Sequence, residues 1–339
     1  MKVLVIGCGS IGRRHAANAA ALATAAVVDS DAQAARALAT QTGARAFDRL
    51  EDALSWGPGA AVIATPHRSH LDLAGRALAA GAHVLVEKPL SHAMDGVNAF
   101  LEAAAASGRR AYVVCNMRFH PGPATLKQSL HLVGRPLFAR AHVGNYLPAM
   151  RPGRDYRELY AARRAEGGGT VLDAVHEIDY LSWLFGEVEA VACQAERLGD
   201  LDIDVEDHAL LALRHRSGVR ASAELDYLRR RKSRGCEIIG SEGVLAWHSD
   251  GKAPERCRVR LGRPDAADWD DLLDVEAVDA DAPYRALMGA FLQEIDRPGS
   301  TPLLPAREAA AVLGVALAAL DSGARAGAAR QPVQADARR

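Results

Sequence analysis

Three glycines within six residues, Gly7-Cys8-Gly9-Ser10-Ile11-Gly12, follow directly on the apolar run Val3-Leu4-Val5-Ile6 and lead into an alanine-rich stretch that begins Arg13-Arg14-His15-Ala16. The apolar run, rich in valine and isoleucine, reads as a buried strand and the alanine-rich stretch as a helix, so the glycines fill the turn between them. Each glycine in such a turn has its own work. The first allows the tight turn, the second lets backbone approach a pyrophosphate, and the third lets helix pack closely on strand. The helix N-terminus then offers unpaired N–H groups and a positive dipole end to phosphate. The spacing alone would also suit a plain structural turn, and context decides between the two. A second apolar run ends in Asp29, 22 residues after Gly7, where a carboxylate accepts hydrogen bonds from the adenosine ribose. The expected cofactor contacts here are Gly7, Cys8, Gly9, Ser10, Ile11, Gly12 and Asp29. NAD is expected rather than NADP, because Asp29 repels a 2'-phosphate and no cation follows it before Arg36.

A chain of 339 residues has room for about two domains, each with a real core. With 49% hydrophobic and 24% charged residues and a net charge of -1, it shows neither the composition of a disordered chain nor the field of a nucleic-acid binder. No run of about 18 apolar residues suggests a membrane span, and residues 1–6 lead into a strand rather than a secretory signal, so the expected location is the cytoplasm. Cys8, Cys115, Cys193, Cys236 and Cys257 are odd in number and never spaced as C-x-x-C. They read as reduced, mostly buried thiols, with no metal site expected.

Organisation changes along the chain. In the first third, short apolar runs (KVLVI, AAVV, ARAF, AAVIA, HVLVE, AYVVC) alternate with amphipathic, alanine-rich segments, the pattern of a doubly wound α/β parallel sheet. After NMRFHPGP, strand patterns follow one another with little helix between, which predicts an α+β domain with a large, mostly antiparallel sheet. Pro121 and Pro123 mark the boundary, so the expected division is residues 1–120, residues 121–323 and a frayed tail at 324–339. Two late helices are expected around Tyr284 to Ile295 and Ala306 to Leu320, the second capped at Ser322-Gly323.

Two clusters could carry chemistry. ATPHRSH places Thr65, Pro66 and His70 at the carboxyl end of the fourth strand, and VEKP places Glu87 and Lys88 at the end of the fifth. Ligands bind at those ends in an open α/β sheet, and a lysine restrained by Pro89 beside a cofactor could polarise or protonate a substrate oxygen. The second cluster is GGGTVLDAVHEIDYLSWLFG. Val171, Val175, Ile178 and Phe185 form an apolar stripe, while Asp173, His176, Tyr180 and Trp183 fall on another face of the same helical pattern. A carboxylate one turn from a histidine fixes the imidazole and stabilises its protonated form, as a general acid/base requires. A capping aspartate with a solvated histidine is the plainer reading of the same residues, and the glycine run, which permits close approach, favours chemistry. The basic run at Arg229 to Arg234 reads as a solvated hairpin without a role.

GCGSIG, ATPHRSH, EKP, NMRFHP and GGG...LDAVHEIDY occur in the order seen in the glucose-fructose oxidoreductase/inositol dehydrogenase (Gfo/Idh/MocA) family, which the chain resembles to about Gly323. The resemblance implies an N-terminal Rossmann domain for NAD(P) and a C-terminal sheet that supplies half of the substrate cleft and the contacts of a homodimer or homotetramer. It implies a catalytic Lys88, proton transfer at His176 with Asp173 as acidic companion, and Asn116 and Arg118 beside the nicotinamide, with Arg118 also toward substrate. Many members space the acid and the histidine by four residues; here the spacing is three, and Asp179 competes with Asp173 for the acid's role. Three functions follow as expectations. The first is an NAD-dependent dehydrogenase acting on a secondary alcohol of a sugar, sugar acid or nucleotide sugar. The others are a redox-neutral NAD-dependent glycosidase and a non-catalytic nucleotide sensor.

The loop NYLPAMRPGRDYRELYAARRAEGGG bears on the substrate. It interleaves Arg151, Arg154, Arg157, Arg163 and Arg164 with Tyr146, Tyr156 and Tyr160. Arginine binds carboxylate or phosphate through paired N–H groups, and tyrosine offers a flat face to a sugar ring. An anionic sugar-like substrate is therefore expected to contact Tyr146, Arg154, Tyr156 and Arg163, alongside Lys88, Asp173 and His176. The competing reading pairs Arg157 and Arg163 with Asp155, Glu158 and Glu166 on a solvated loop.

Overall fold

The computed structural model describes residues 1–251, 254–325 and 330–332. Each apolar run of the first third is a strand: β1 (Lys2–Ile6), β2 (Thr24–Val28), β3 (Arg45–Phe47), β4 (Ala60–Ile63), β5 (His83–Val86) and β6 (Ala111–Val113). Between them lie α1 (Ser10–Leu22), α2 (Ala32–Thr42), α3 (Leu50–Ser55), α4 (His70–Ala79) and α5 (Val97–Ser107). Local chemistry sets the ends of these helices. Asp31 caps α2 by accepting from the N–H groups of Gln33 and Ala34, and Gly43 ends it at φ 72°, a conformation that suits glycine.

The chain continues with α6 (Pro121–Ser129), β7 (Pro136–Tyr146), α7 (Thr170–Asp173), α8 (Val175–Phe185), β8 (Val188–Glu196), β9 (His208–His215), β10 (Arg220–Asp226), β11 (Leu228–Gly240), β12 (Val244–Ser249), β13 (Glu255–Gly262) and β14 (Asp270–Val278). It closes with α9 (Ala282–Asp296), β15 (Leu304–Pro305) and α10 (Ala306–Ala324).

Two compact units emerge. The first contains residues 1–116 and 281–310, so α9 and β15 belong with the N-terminal strands although they follow the second sheet in sequence. Its sheet runs β15-β6-β5-β4-β1-β2-β3, parallel except for β15. Strand order reverses between β1 and β4, and the loops that leave those strands are where an open α/β sheet binds its ligand.

Among the described residues, the second unit contains 117–251, 254–280, 311–325 and 330–332. Its eight-stranded sheet has the order β14-β13-β12-β11-β7-β10-β9-β8, antiparallel except where β7 and β10 run together. The sheet is thus the large, mostly antiparallel one anticipated, but β13 and β14 carry it two strands further. Cys257, Val259 and Leu261 of β13 point to the core between Arg256, Arg258 and Arg260, and the arginines are answered across the ladder. Arg256 holds Asp274 and Arg258 holds Asp271.

Three expectations are corrected. The helical pattern through Asp173 and His176 breaks at Ala174, so α7 and α8 are separate pieces. Gly323 is not a cap. It lies inside α10, where a Cβ would stand 2.8 Å from the Cβ of Ala195, so its smallness serves packing against β8. Within the stretch expected to fray, Arg330 exchanges two backbone hydrogen bonds with Val191 and pairs with Asp321 at 2.8 Å. Residues 326–329 and 333–339 lie outside the described residues. No described helix is long and apolar enough to cross a membrane, and no group of three or more His, Cys, Asp or Glu among the described residues could hold a metal.

Candidate active site

The turn after β1 gives each glycine a physical reason. Gly7 sits at φ +104°, and a Cβ there would lie 2.5 Å from the carbonyl oxygen of Ala64. A Cβ on Gly12 would overlap the carbonyl of Gly7, so only glycine lets α1 start this close to β1. Gly9 faces open space, which leaves backbone and the first N–H groups of the 13-residue α1 accessible to a phosphate. Asp29 ties the turn together. Its Oδ2 accepts from the Cys8 N–H at 2.6 Å and its Oδ1 from the Asp31 N–H at 2.9 Å. These features fit a dinucleotide. Burial, then the charge of Asp29, pushes the Cys8 thiol up to about 11, so Cys8 stays protonated. Titration by fluorescence is expected to show NAD binding at least about tenfold more tightly than NADP; equal or tighter NADP binding would remove Asp29 as the selector.

The loops after β4 and β5 are joined by a buried histidine. His70 is fully buried, with Nε2 at 2.8 Å from the Thr65 carbonyl and Nδ1 at 2.9 Å from the Pro89 carbonyl. Both ring nitrogens are engaged by backbone, so His70 acts as a strut between the two loops rather than as the cofactor contact expected of it. Thr65 is half-buried with Oγ1 accepting from Ser69, and Pro66 is exposed. Glu87 turns inward too. Its Oε1 lies 2.8 Å from Nε2 of the fully buried His15, and its Oε2 accepts from the Lys88 N–H. Lys88 precedes a cis proline and is half-buried. Asn116, also half-buried, ends the first unit with Oδ1 lacking a hydrogen-bond partner among the described residues.

In the second unit, Asp173 and His176 line one recess of about 70 Å³, although they sit on separate helices. Tyr160, from the arginine-rich loop, donates its hydroxyl to Asp173 Oδ1 at 2.6 Å. Burial, then the charge of Asp173, holds the Tyr227 phenol well above its usual range. The glycines before α7 are required by the protein itself. A Cβ on Gly168 would strike the carbonyl of Tyr160, and one on Gly169, at φ +104°, would strike the carboxylate of Glu206. Glu206 in turn accepts from the Val171 N–H at 3.1 Å and so fixes the start of α7. Of the expected polar face, Tyr180 is fully buried edge-on to Trp247, and Trp183 lies against Arg118 and Lys127.

Several site assignments change. Arg118, 5% exposed, grips the fully buried Asp179 through Nη2 at 2.8 Å and Nε at 3.2 Å to both oxygens. Asp179 is therefore committed to Arg118, whereas Asp173 lines the recess with His176. In the loop, Arg157 pairs with Asp155 at 2.6 Å, Arg163 donates to the carbonyl of Arg157, and Arg164 is tied to Asp204. Tyr156 accepts from the Asp202 N–H, and the Tyr146 ring stacks on Arg230 at 3.7 Å. These contacts hold the loop's own structure, which is built on a cluster of Leu147, Ala161, Leu201, Ile203 and Val205. Arg151 and Arg154 remain exposed. The basic run is no plain hairpin either. Pairing of β11 with β7 jumps from Leu228↔Tyr146 to Ser233↔Gly144, so residues 229–232 bulge out. Beyond the bulge, Arg234 pairs with the fully buried Glu177. Sequence reasoning missed this pair because a charge run usually marks a solvated face; its signal was the period-2 pattern that continues from Arg234 through Cys236 to Ile238.

The first unit defines a nucleotide-dependent oxidoreductase fold, with the glycine turn, the acid after β2 and a lysine at the end of β5. Residues 1–115 match the oxidoreductase family with an NAD-binding Rossmann fold, and residues 124–246 match the GFO/IDH/MocA C-terminal domain. The chain is 31% identical over 291 residues to inositol 2-dehydrogenase 2 of Saccharopolyspora erythraea, covering 79% of each chain. It is 29% identical over 284 residues to inositol 2-dehydrogenase of Acidiphilium cryptum, covering 80% of this chain and 81% of that one. Among solved structures, levoglucosan dehydrogenase in complex with NADH and L-sorbose shares the fold, with a TM-score of 0.85 at 20% identity over 99% of both chains. The chain belongs to the Gfo/Idh/MocA family and is an NAD-dependent oxidoreductase.

Proposed function

We propose that this oxidoreductase oxidises a secondary alcohol of a sugar-like substrate, with His176 taking the hydroxyl proton. The observation that carries the reading is the recess in which His176 and the tyrosine-held Asp173 meet, and the inositol dehydrogenases among its relatives support the substrate class. Bound NAD supplies the hydride acceptor. His176 holds the proton as the alcohol becomes a carbonyl, and the negative charge of Asp173 stabilises the resulting imidazolium. The Lys88 ammonium stabilises the developing alkoxide. On the cofactor side, residues 7–12, Asp29, Thr65, Pro66 and Asn116 make the contacts.

The substrate's negative charge falls to Arg154, with Arg151 beside it in the loop. Both are exposed, and neither has an ion pair among the described residues. A homodimer or homotetramer forms through the second sheet, whose β9 presents Leu210, 42% exposed, and Ala212 on the face away from the core. Five free, buried cysteines support a cytoplasmic protein.

The test is steady-state oxidation of myo-inositol, levoglucosan, glucuronate and UDP-N-acetylglucosamine with NAD, followed by absorbance of NADH. Turnover of at least one is expected, the charged compounds ahead of the neutral ones, with activity on them falling as salt rises. Arg154→Ala should raise KM for a charged substrate alone. Efficient myo-inositol oxidation unchanged by Arg154→Ala would sink the anionic reading, and turnover without net NADH would point to hydrolysis instead.

A further inference from the structure

Beside His176 the recess holds two polar groups that the reaction described so far leaves idle. Arg234 lines it, and its Nε and Nη2 hold Glu177 Oε1 and Oε2 at 2.7 and 3.0 Å. A guanidinium carries five N–H donors in a rigid fork, and this grip uses two of them. Glu177 directly follows His176 in sequence and is fully buried, so the same helix that carries the proton acceptor also fixes the direction of the fork. Thr170 is the second group. It is 1% exposed, lines the recess, and its hydroxyl has no hydrogen-bond partner among the described residues. Buried hydroxyls are nearly always satisfied by protein, water or ligand.

The size and charge of the recess say what could satisfy them. About 70 Å³ admits a hydroxyl or hydroxymethyl group, or a few water molecules, and not a sugar ring. Its carboxylates, Asp173 and Asp226, stand in the same lining as Arg234, and Glu177 already balances the guanidinium. Asp226 is paired with Arg229 at 3.3 Å, so an entering carboxylate or phosphate would meet the like charge of Asp173 while the guanidinium of Arg234 is already balanced by Glu177. A hydroxyl suits both sides, since its oxygen accepts from Arg234 or Thr170 while its proton goes to a carboxylate.

We propose that Arg234 and Thr170 bind an uncharged hydroxyl of the substrate, distinct from the one oxidised, and that Glu177 is the positioning residue that aims Arg234. This rests on the reading of the substrate as a sugar-like alcohol whose proton passes to His176. It also locates any negative charge of the substrate outside the recess.

The experiment uses the full chain with NAD and, as probe, whichever of myo-inositol, levoglucosan, glucuronate and UDP-N-acetylglucosamine the unaltered enzyme oxidises with the highest kcat/KM. Arg234→Ala is expected to raise KM on the order of tenfold or more with kcat within about threefold, because the contact is made in ground and transition state alike. Millimolar guanidinium should restore much of the loss, and the split between KM and kcat separates a binding role from a merely structural one. Glu177→Gln should give an intermediate rise in KM, and Thr170→Val a smaller one of about threefold to tenfold. NADH binding by fluorescence reports whether each variant folds, and Thr170→Val decides the matter if Arg234→Ala does not. A KM within about twofold of the unaltered enzyme in every variant that folds overturns this proposal and leaves the dehydrogenase reading intact. If the unaltered enzyme oxidises none of the four, that reading falls and this one with it.

Discussion

His176→Asn is expected to lower kcat by on the order of a hundredfold or more while leaving NAD affinity unchanged. The substitution keeps a hydrogen-bonding side chain of similar reach in a site that is 8% exposed, so the loss reports proton transfer rather than packing. The two effects separate because His176 belongs to the second unit and the glycine turn to the first. Lys88→Ala should lower kcat comparably, since in the proposed mechanism it removes the cation opposite the developing alkoxide and so costs transition-state binding. Unlike His176→Asn, it should also shift NAD affinity, because Lys88 follows Glu87 in the loop tied to α1 through His15. Rates from single-turnover mixing with NAD, together with fluorescence titration of each variant, give both quantities. Near-normal turnover by His176→Asn would remove it as proton acceptor, and the Asp173 assignment would go with it.

Arg118→Ala should cost about 3–5 kcal/mol of stability, because it strands the charge of Asp179 where solvent cannot reach it. Denaturant unfolding measures this directly. The double replacement Arg118→Met with Asp179→Leu should recover most of the loss, since the penalty belongs to the uncompensated charge and not to the absence of a pair. The family resemblance points instead to a place beside the nicotinamide. The two roles separate cleanly: a stability loss below about 1 kcal/mol together with weakened NAD binding would make Arg118 a cofactor contact.

Much of the first unit was legible because its signals are local. Strand, glycine turn and helix succeed one another within 22 residues, and Gly7 and Gly12 each answer a clash with backbone only a few residues or one strand away. The period-2 alternation of β7 to β12 likewise announced an antiparallel sheet. β13 and β14 were harder to see because half of their residues are charged, and those charges cancel only across the ladder, as with Arg256 and Asp274. The same holds for the site. That Asp173 and His176 stand near one another could be read from three residues of spacing, but the break at Ala174 could not.

What the sequence alone determined is the local arrangement that depends on neighbours along the chain: the glycine turn with an acid after the second strand, the lysine at a strand end, the nearness of Asp173 to His176 and the class of sheet that follows. What only the tertiary structure decided is the partner of each charged side chain. Asp179 was a candidate acid until Arg118, 61 residues away, claimed it, and Arg234 belonged to a solvated run until Glu177, 57 residues away, drew it into the recess of His176. Arg163 and Tyr156 looked outward to a substrate until the carbonyl of Arg157 and the backbone of Asp202 took them. The physical reason is common to all four. A charged or polar side chain is satisfied by whichever complementary group folding brings within about 3 Å, and that choice is made by topology, which spacing along a single chain does not record.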